Sequence, residues 1–498
     1  MSVEMNVATV DYLGDEWTFI DCPGSVELQQ DTIGAMMVAD AAIVVCEPGQ
    51  ERALAVTRLM KELDALGVPY LIYINKMDLP EAHVKNTLEA LQGMTERPLI
   101  LREVPIREDN LVTGFIDLVS ERAYQWEDGA PSKLIEVPDS ANGRTEEERT
   151  QMLESLADFN DDLLEQLLED VIPETDEVYQ NLTKDLQESA IVPVFFGSAE
   201  HENGVVRLLK ALRHETPEYT VSLDRLGVDA DGEAVAQVFK TQNGAQSGKL
   251  SLARIWRGEF TDGLRVNGTR VSGIFKMLGA QQNKESKAAA GQVVALGRLD
   301  GVQTSDTLSE SGKLEGSEWP PFLTPVYALA IHAGRRDDEV KMATAMNKII
   351  EEDPSLSYGP NVDTGEHLLR GQGETHLRIV LDRLKNRNKL EVESQIPQVA
   401  YKESIRDKVS QHARHKKQSG GHGQFGDVHV DIKPLPRGSG FQFTDSVKGG
   451  VVPKNYIPAV EHGVKEYLAR GPLGFPVVDV SVELTDGQHH AVDSSDQA

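Results

Sequence analysis

Four short apolar runs, WTFI (17–20), AAIVVC (41–46), YLIYI (70–74) and IVPVFF (191–196), frame the first half of the chain. They are rich in β-branched and aromatic residues, lack alternation and end in turn signals, the pattern of strands buried on both faces. Between the first three the period becomes helical. In QERALAVTRLMKELDALG (50–67), Leu54, Leu59, Leu63 and Leu66 fall on one stripe. Strand–helix alternation predicts a parallel sheet with right-handed crossovers. Ligands of such sheets gather at the C-terminal strand ends, and DCPGS, CEPG, NKMD and GSAE all fall there.

From about 96 to 189 the alternation breaks, and acidic helices with Leu153, Leu156, Leu163, Leu164, Leu167 and Leu168 as their stripe predict an α+β insertion. Short strands and many glycines from about 231 to 313 predict a small β-barrel. A strand, a helix (Val340 to Glu352), a stop at Pro354 and a second helix after GQGETHL predict a two-layer α+β domain. A further domain begins near Pro397. The expected domains are 1–225 (with 96–189 inserted), 226–316, 324–396 and 397–498, in a multi-domain α/β and β fold.

At 498 residues the chain exceeds one core. No run of about 18 uncharged apolar residues predicts a membrane span, and MSVEMNVATV lacks the features of a secretory signal. Two cysteines, Cys22 and Cys46, exclude a disulfide framework and fit a reducing cytoplasm. A net charge of −30 argues against non-specific coating of nucleic acid. The charge is uneven, however: 139–190 holds 16 acids against 3 bases, whereas 402–437 holds 8 Lys/Arg against 4 acids, with His412, His415, His422 and His429. That basic stretch is either a solvated face or a local contact to phosphate.

Asn75-Lys76-Met77-Asp78 follows YLIYI directly. An Asp there can accept two N–H groups from a guanine edge, the Asn can bond the base and brace loops, and the Lys stem can cover the ring. Asp21-Cys22-Pro23-Gly24 precedes it by 54 positions. Its Asp can reach Mg²⁺ through water, and its glycine amide can approach a terminal phosphate. Gly197-Ser198-Ala199 could give the base a backbone N–H. NKxD alone is a weak signal, but three such turns in this order favour a guanine-nucleotide site over coincidence.

No G-x-x-x-x-G-K-[ST] loop occurs. NGAQSGKLS (243–251) has Leu250 at the hydroxyl position and reads as a hairpin turn of the barrel. In HARHKKQSGGHGQFG (412–426), a metal site at His412-x-x-His415 is weak, with no Cys or carboxylate set nearby in the sequence and cationic neighbours. An RNA-contacting loop is the better reading.

These residues resemble bacterial elongation factor G, a translational GTPase, essentially from end to end. DCPGS looks like the family's DTPGH, and NKMD and GSA match its base-recognition turns. GVQTSDTL (301–308), EEDPS (351–355), GQGETHL (371–377), PQVAYKESIR (397–406), KQSGGHGQFG (417–426), KGGVVPKNYIPAV (448–460) and HHAVDSS (489–495) are similar to later family signatures. The resemblance implies GTP/GDP and Mg²⁺ bound by Asp21, Cys22, Pro23, Gly24, Ser25, Asn75, Lys76, Met77, Asp78, Gly197, Ser198 and Ala199, with Asp21 on the metal through water. It implies one tip loop of Lys416, Lys417, Gln418, Ser419, Gly420 and Gly421, and another with His490. The implied partners are the ribosome: its rRNA, the tRNA–mRNA of the decoding region, and the stalk, which the acidic insertion would approach. The protein is expected to be a cytoplasmic monomer, GTP hydrolysis being coupled to translocation.

Three departures qualify this. Ser25 stands where the family has the water-positioning His. Losing one catalytic contact costs about 3–4 kcal/mol, so slower hydrolysis and a divergent paralogue are expected. A ribosome-associated factor with a slow or silent GTPase, acting in recycling, protection or regulation, is the alternative. The phosphate loop with its strand, and the closing part of the last domain, are not in the chain, so a partial sequence is expected.

Overall fold

The computed structural model describes residues 2–80, 82–244, 248–312, 318–418 and 423–497. The chain divides into two units, residues 1–359 with 367–395 and residues 360–366 with 396–498.

The first unit contains a parallel sheet in the order Ala42–Cys46, Tyr70–Ile74, Val192–Phe196, Leu99–Leu101. Every residue of Tyr70–Ile74 and of Val192–Phe196 is buried, which is why neither run alternates. The period of two survives in which core each residue enters. Tyr70, Ile72 and Ile74 pack with Met60 and Leu63, whereas Leu71 and Tyr73 pack with Leu208 and Leu212 on the opposite face. The expected stripe over 50–67 is only partly right. The segment breaks into Gln50–Ala53, a 3₁₀ turn Leu54–Val56 and Thr57–Ala65, and this change of winding leaves Leu54 62% exposed.

WTFI is not a strand of the parallel sheet. Its strand, Asp15–Asp21, pairs antiparallel with Asn6–Tyr12 along its whole length. Leu13 (φ 53°) and Gly14 (φ 92°) form the two-residue turn, whose left-handed backbone matches hairpin twist. Asn6–Tyr12 in turn meets the barrel at Ala8 and Leu278. No residue of Asp15–Asp21 is fully buried. Trp17 and Phe19 instead lie against the core containing Leu71, Tyr73 and Phe195, so the run is apolar because it packs onto the sheet, not within it.

The insertion also begins later than position 96, since Leu99–Leu101 pairs with Val192–Val194 in the parallel sheet. A four-stranded antiparallel sheet (103–135) comes next, followed by the helices Asn142–Ala157, Asp161–Leu168 and Thr175–Gln187. Leu153, Leu156 and Leu163 are buried as expected, but Leu164 and Leu168 are exposed, because the eight-residue middle helix buries only Leu163. Buried ion pairs root the excursion: Arg102 Nη1 lies 2.7 Å from Glu215 Oε2, and Arg207 pairs with Asp117 and, at 3.5 Å, with Glu103. Burial, only partly offset by Arg207, pushes the Glu103 carboxyl up to about 8.

The barrel strands Val235–Gly244 and Gly248–Arg257 pair antiparallel, with Asn243 opposite Lys249 and Gly244 opposite Gly248, so the described ends of NGAQSGKLS belong to a strand pair as expected. The following layer has the sheet order Ser357–Pro360, His367–Gly371, Tyr327–Ala333, Val392–Gln395. Helices Glu339–Glu352 and Glu374–Asn386 cover it through Met346, Ile349, Leu377 and Leu384.

The second unit is a four-stranded sheet in the order Val409–Lys417, Gln424–Pro434, Val480–Gln488, Phe441–Asp445, with the helix Ile457–Leu468. Val480, Val482 and Leu484 are its most buried strand positions, and the edge strand Val409–Lys417 is exposed throughout. Among the described residues no helix is long and apolar enough to cross a membrane.

Candidate functional site

Three turns meet at the C-terminal edge of the parallel sheet. The Asn75 N–H donates to Cys46 O (2.8 Å), that of Met77 to Gly197 O (2.9 Å), and that of Gly197 to Ile74 O (2.9 Å). Asn75 Oδ1 accepts the Ala199 N–H at 2.8 Å, so the side chain expected to brace neighbouring loops does so. Lys76 takes a left-handed φ of 60°, a strained choice for lysine that the flanking backbone bonds enforce. Its ammonium pairs with Glu47 of the CEPG turn and holds that carboxyl below its ordinary range. A methyl at Gly197 would come 2.1 Å from Asn203 O and 2.2 Å from Tyr73 Oη, so only glycine fits.

Two expectations change in detail. The N–H groups of Gly197, Ser198 and Ala199 are all spent, on Ile74 O, Asn203 O and Asn75 Oδ1, so this turn is a brace and not a source of base donors. Met77 is wholly buried in the core and supplies packing alone. Asp78 behaves differently: its Oδ1 is buried and has no hydrogen-bond partner. A buried carboxylate oxygen without a donor is costly, and a donor supplied from outside the chain would relieve that cost.

The DCPGS turn is held otherwise. Burial in the core shared with the barrel pushes the Cys22 thiol up to about 12, so this side chain is inert packing. Asp21 is exposed, and nothing lies within 4 Å of a methyl placed on Gly24, which leaves an oxygen donor and open space suited to hydrated Mg²⁺ and phosphate. Ser25 precedes the 3₁₀ turn Val26–Leu28, its carbonyl accepting from the Leu28 N–H at 2.9 Å while its hydroxyl makes no cap.

Glu27, to which the sequence reading assigned no role, fixes this turn. Its Oε2 accepts the His376 N–H (2.7 Å) at the start of the helix Glu374–Asn386, where an anion is favoured. His376 Nδ1 accepts the Gln372 N–H (3.2 Å), and its Nε2–H donates to Asp353 Oδ2 (2.9 Å). Burial pushes Asp353 up, but the hydrogen bonds from His376 and Ser355 and the Lys240 charge outweigh it and hold the carboxyl at about 2. Lys240 itself pairs with Asp31 of the helix Gln29–Val38, just after the turn. EEDPS and GQGETHL are thus the two halves of one clamp. Their remoteness from DCPGS in sequence is what hid it.

In the second unit, the turn around His490 is stitched to the ribbon end. Asp493 Oδ1 accepts the Gly423 N–H (2.9 Å), its carbonyl accepts the Phe425 N–H (2.9 Å), and Ser494 Oγ donates to Phe425 O (2.8 Å). Asp493 N–H donates to His490 Nδ1 at 3.1 Å. The His490 turn is therefore a neighbour of the described residues that follow the first loop, Gly423 and Phe425. Lys416, Lys417 and Gln418 are exposed, whereas Ser419, Gly420 and Gly421 lie outside the described residues.

Family patterns match in sequence order. The elongation factor Tu GTP binding domain matches 1–218, elongation factor G domain 2 matches 233–311, elongation factor G domain III matches 322–395 and elongation factor G domain IV matches 397–498. An elongation factor G-like protein of Synechocystis sp. (strain ATCC 27184 / PCC 6803 / Kazusa) is 47% identical over 500 residues, covering 100% of this chain and 74% of that protein. This chain belongs to the elongation factor G-like translational GTPases. The crystal structure of ttk003000868 from Thermus thermophilus superposes with a TM-score of 0.84 at 30% identity, over 100% of this chain and 74% of that one. An elongation factor G-like GTPase binds guanine nucleotide, and factors of this family act on the ribosome in translation.

Proposed function

We propose that the Asn75–Asp78 turn is the base pocket of this GTPase and the Asp21–Ser25 turn its phosphate side. Asp78 Oδ1 carries the reading, because a buried oxygen without a donor fits the guanine edge. Asn75 positions the pocket, the Lys76 stem covers the ring, and Gly197, Ser198 and Ala199 brace both from behind. Mg²⁺, held through water by Asp21, would neutralise phosphate charge. The Gly24 amide has room to approach the terminal phosphate. Competition binding to the protein with GDP, ADP and XDP tests this: a clear preference for GDP is expected, and equal binding of ADP would sink it.

Ser25 offers a short neutral hydroxyl where the family's His orients water. The reading is a divergent elongation factor with slow hydrolysis, the exposed Lys416, Lys417 and Gln418, with Ser419, Gly420, Gly421 and His490, touching rRNA and the tRNA–mRNA of the decoding region. The insertion would approach the ribosomal stalk, and the protein would act as a cytoplasmic monomer in translocation. Ser25 also favours a second reading, a ribosome-associated paralogue of nearly silent GTPase in recycling, protection or regulation. Ribosome-stimulated phosphate release separates them. Ser25→His should raise the rate roughly 10²–10³-fold if Ser25 limits it. An undiminished wild-type rate excludes the second reading.

A further inference from the structure

The histidines of the ribbon sort by strand geometry, not by sequence spacing. His412 and His415 are three apart, so their side chains leave opposite faces of Val409–Lys417, and His415 Nε2 lies 3.1 Å from Gln424 Oε1. His412 is directly opposite His429 on the neighbouring strand, and Asp427 lies two residues before His429 on the same face. The two imidazoles stack with centroids 4.0 Å apart and planes 3° from parallel. His412 Nε2 is 3.0 Å from Asp427 Oδ1, and His429 Nε2 is 3.9 Å from the same oxygen. One ligand atom from each residue falls within 4.8 Å of the others.

We propose that His412, Asp427 and His429 form a binding site for a divalent cation of the zinc type. Two imidazole nitrogens and one carboxylate oxygen suit zinc better than Mg²⁺ or Ca²⁺, which prefer oxygen alone. The Asp427 side chain is only 3% exposed, which fixes its position, while His412 and His429 are 47% and 43% exposed and open to an ion from solvent. Arg414 competes for the same carboxylate, with Nε 3.6 Å from Asp427 Oδ2. Its guanidinium lies over the Phe425 ring, 5.4 Å from the centroid. On binding, each imidazole gives its Nε2 lone pair to the metal and carries its remaining proton on Nδ1, so the His412 Nε2 proton that bonds Asp427 moves to Nδ1 or leaves to solvent. No oxidation is involved. The ion would tie the exposed edge strand to its neighbour below the basic ribbon end and add positive charge near Lys416 and Lys417.

Calorimetric titration of the metal-free 498-residue protein with ZnCl₂ tests the site, with Co²⁺ absorption as an optical check. One saturable site is expected. His412→Gln and His429→Gln should each weaken it at least about tenfold, by loss of a ligand, with the far-UV circular dichroism unchanged. His415→Gln, on the other face, should leave affinity unaltered. Absence of saturable binding would overturn the proposal, as would binding that survives both ligand substitutions or falls equally with His415→Gln.

Discussion

At Gly197 a methyl group would collide with a carbonyl and a phenol oxygen, whereas at Gly24 it would meet nothing. In the proposed nucleotide site the first turn belongs to the base side and the second to the phosphate side, and they are held by different means. The base side is locked by short backbone bonds between adjacent parallel strands, and its geometry follows from the sheet itself. The phosphate side hangs from an antiparallel hairpin and is tied to distant segments through side chains: Glu27, His376, Asp353, Lys240 and Asp31. A pocket that must discriminate between bases gains from a fixed frame. A turn that must respond to a phosphate gains from ties that can be exchanged.

Four experiments break or sharpen that contrast, the largest effect first. Gly197→Ala overpacks the base side against backbone and should destabilise the parallel-sheet domain by about 3 kcal/mol, read as the shift in its urea transition. Gly24→Ala, tested beside it, should leave that transition in place. Asp78→Asn removes the charged acceptor for two N–H groups, so GDP affinity should fall about 10²-fold while thermal stability holds. A loss of stability without loss of affinity would place Asp78 in the scaffold instead.

The clamp should show itself in acid. The Asp353 value of about 2 lies below the ordinary 3.8, so its contribution, about 2 kcal/mol, is complete above roughly pH 4 and drains away as pH falls toward 2. Asp353→Asn should therefore flatten the acid limb of the stability profile, and an unchanged limb would show that the clamp holds nothing. Smallest is Glu27→Gln, which removes the anion at the start of Glu374–Asn386 and should cost about 1 kcal/mol. Faster hydrogen exchange in that helix, with none in Tyr70–Ile74, is the expected signature.

Parallel strands were legible where burial on both faces suppressed alternation, as in YLIYI and IVPVFF. WTFI carries the same local signature and misled for a physical reason: an apolar strand packed onto a sheet and one packed within it have similar composition. The NKMD and GSA turns were legible because each directly follows its strand. Which of their groups remains free was not, since the amides of Gly197, Ser198 and Ala199 are consumed by partners that only the fold brings near.

The residue pattern by itself determined the order of the domains, the buried strands, the turns at their ends and the family, because each depends on neighbours within a few positions or on signatures read in sequence. Tertiary structure alone decided that Glu27 caps a helix nearly 350 positions away, that EEDPS and GQGETHL share one histidine, and that His412 pairs with His429 instead of His415. Such contacts depend on strand register and packing between distant segments, and a carboxylate or an imidazole reads the same in sequence whether its partner is water, a helix terminus or another ring.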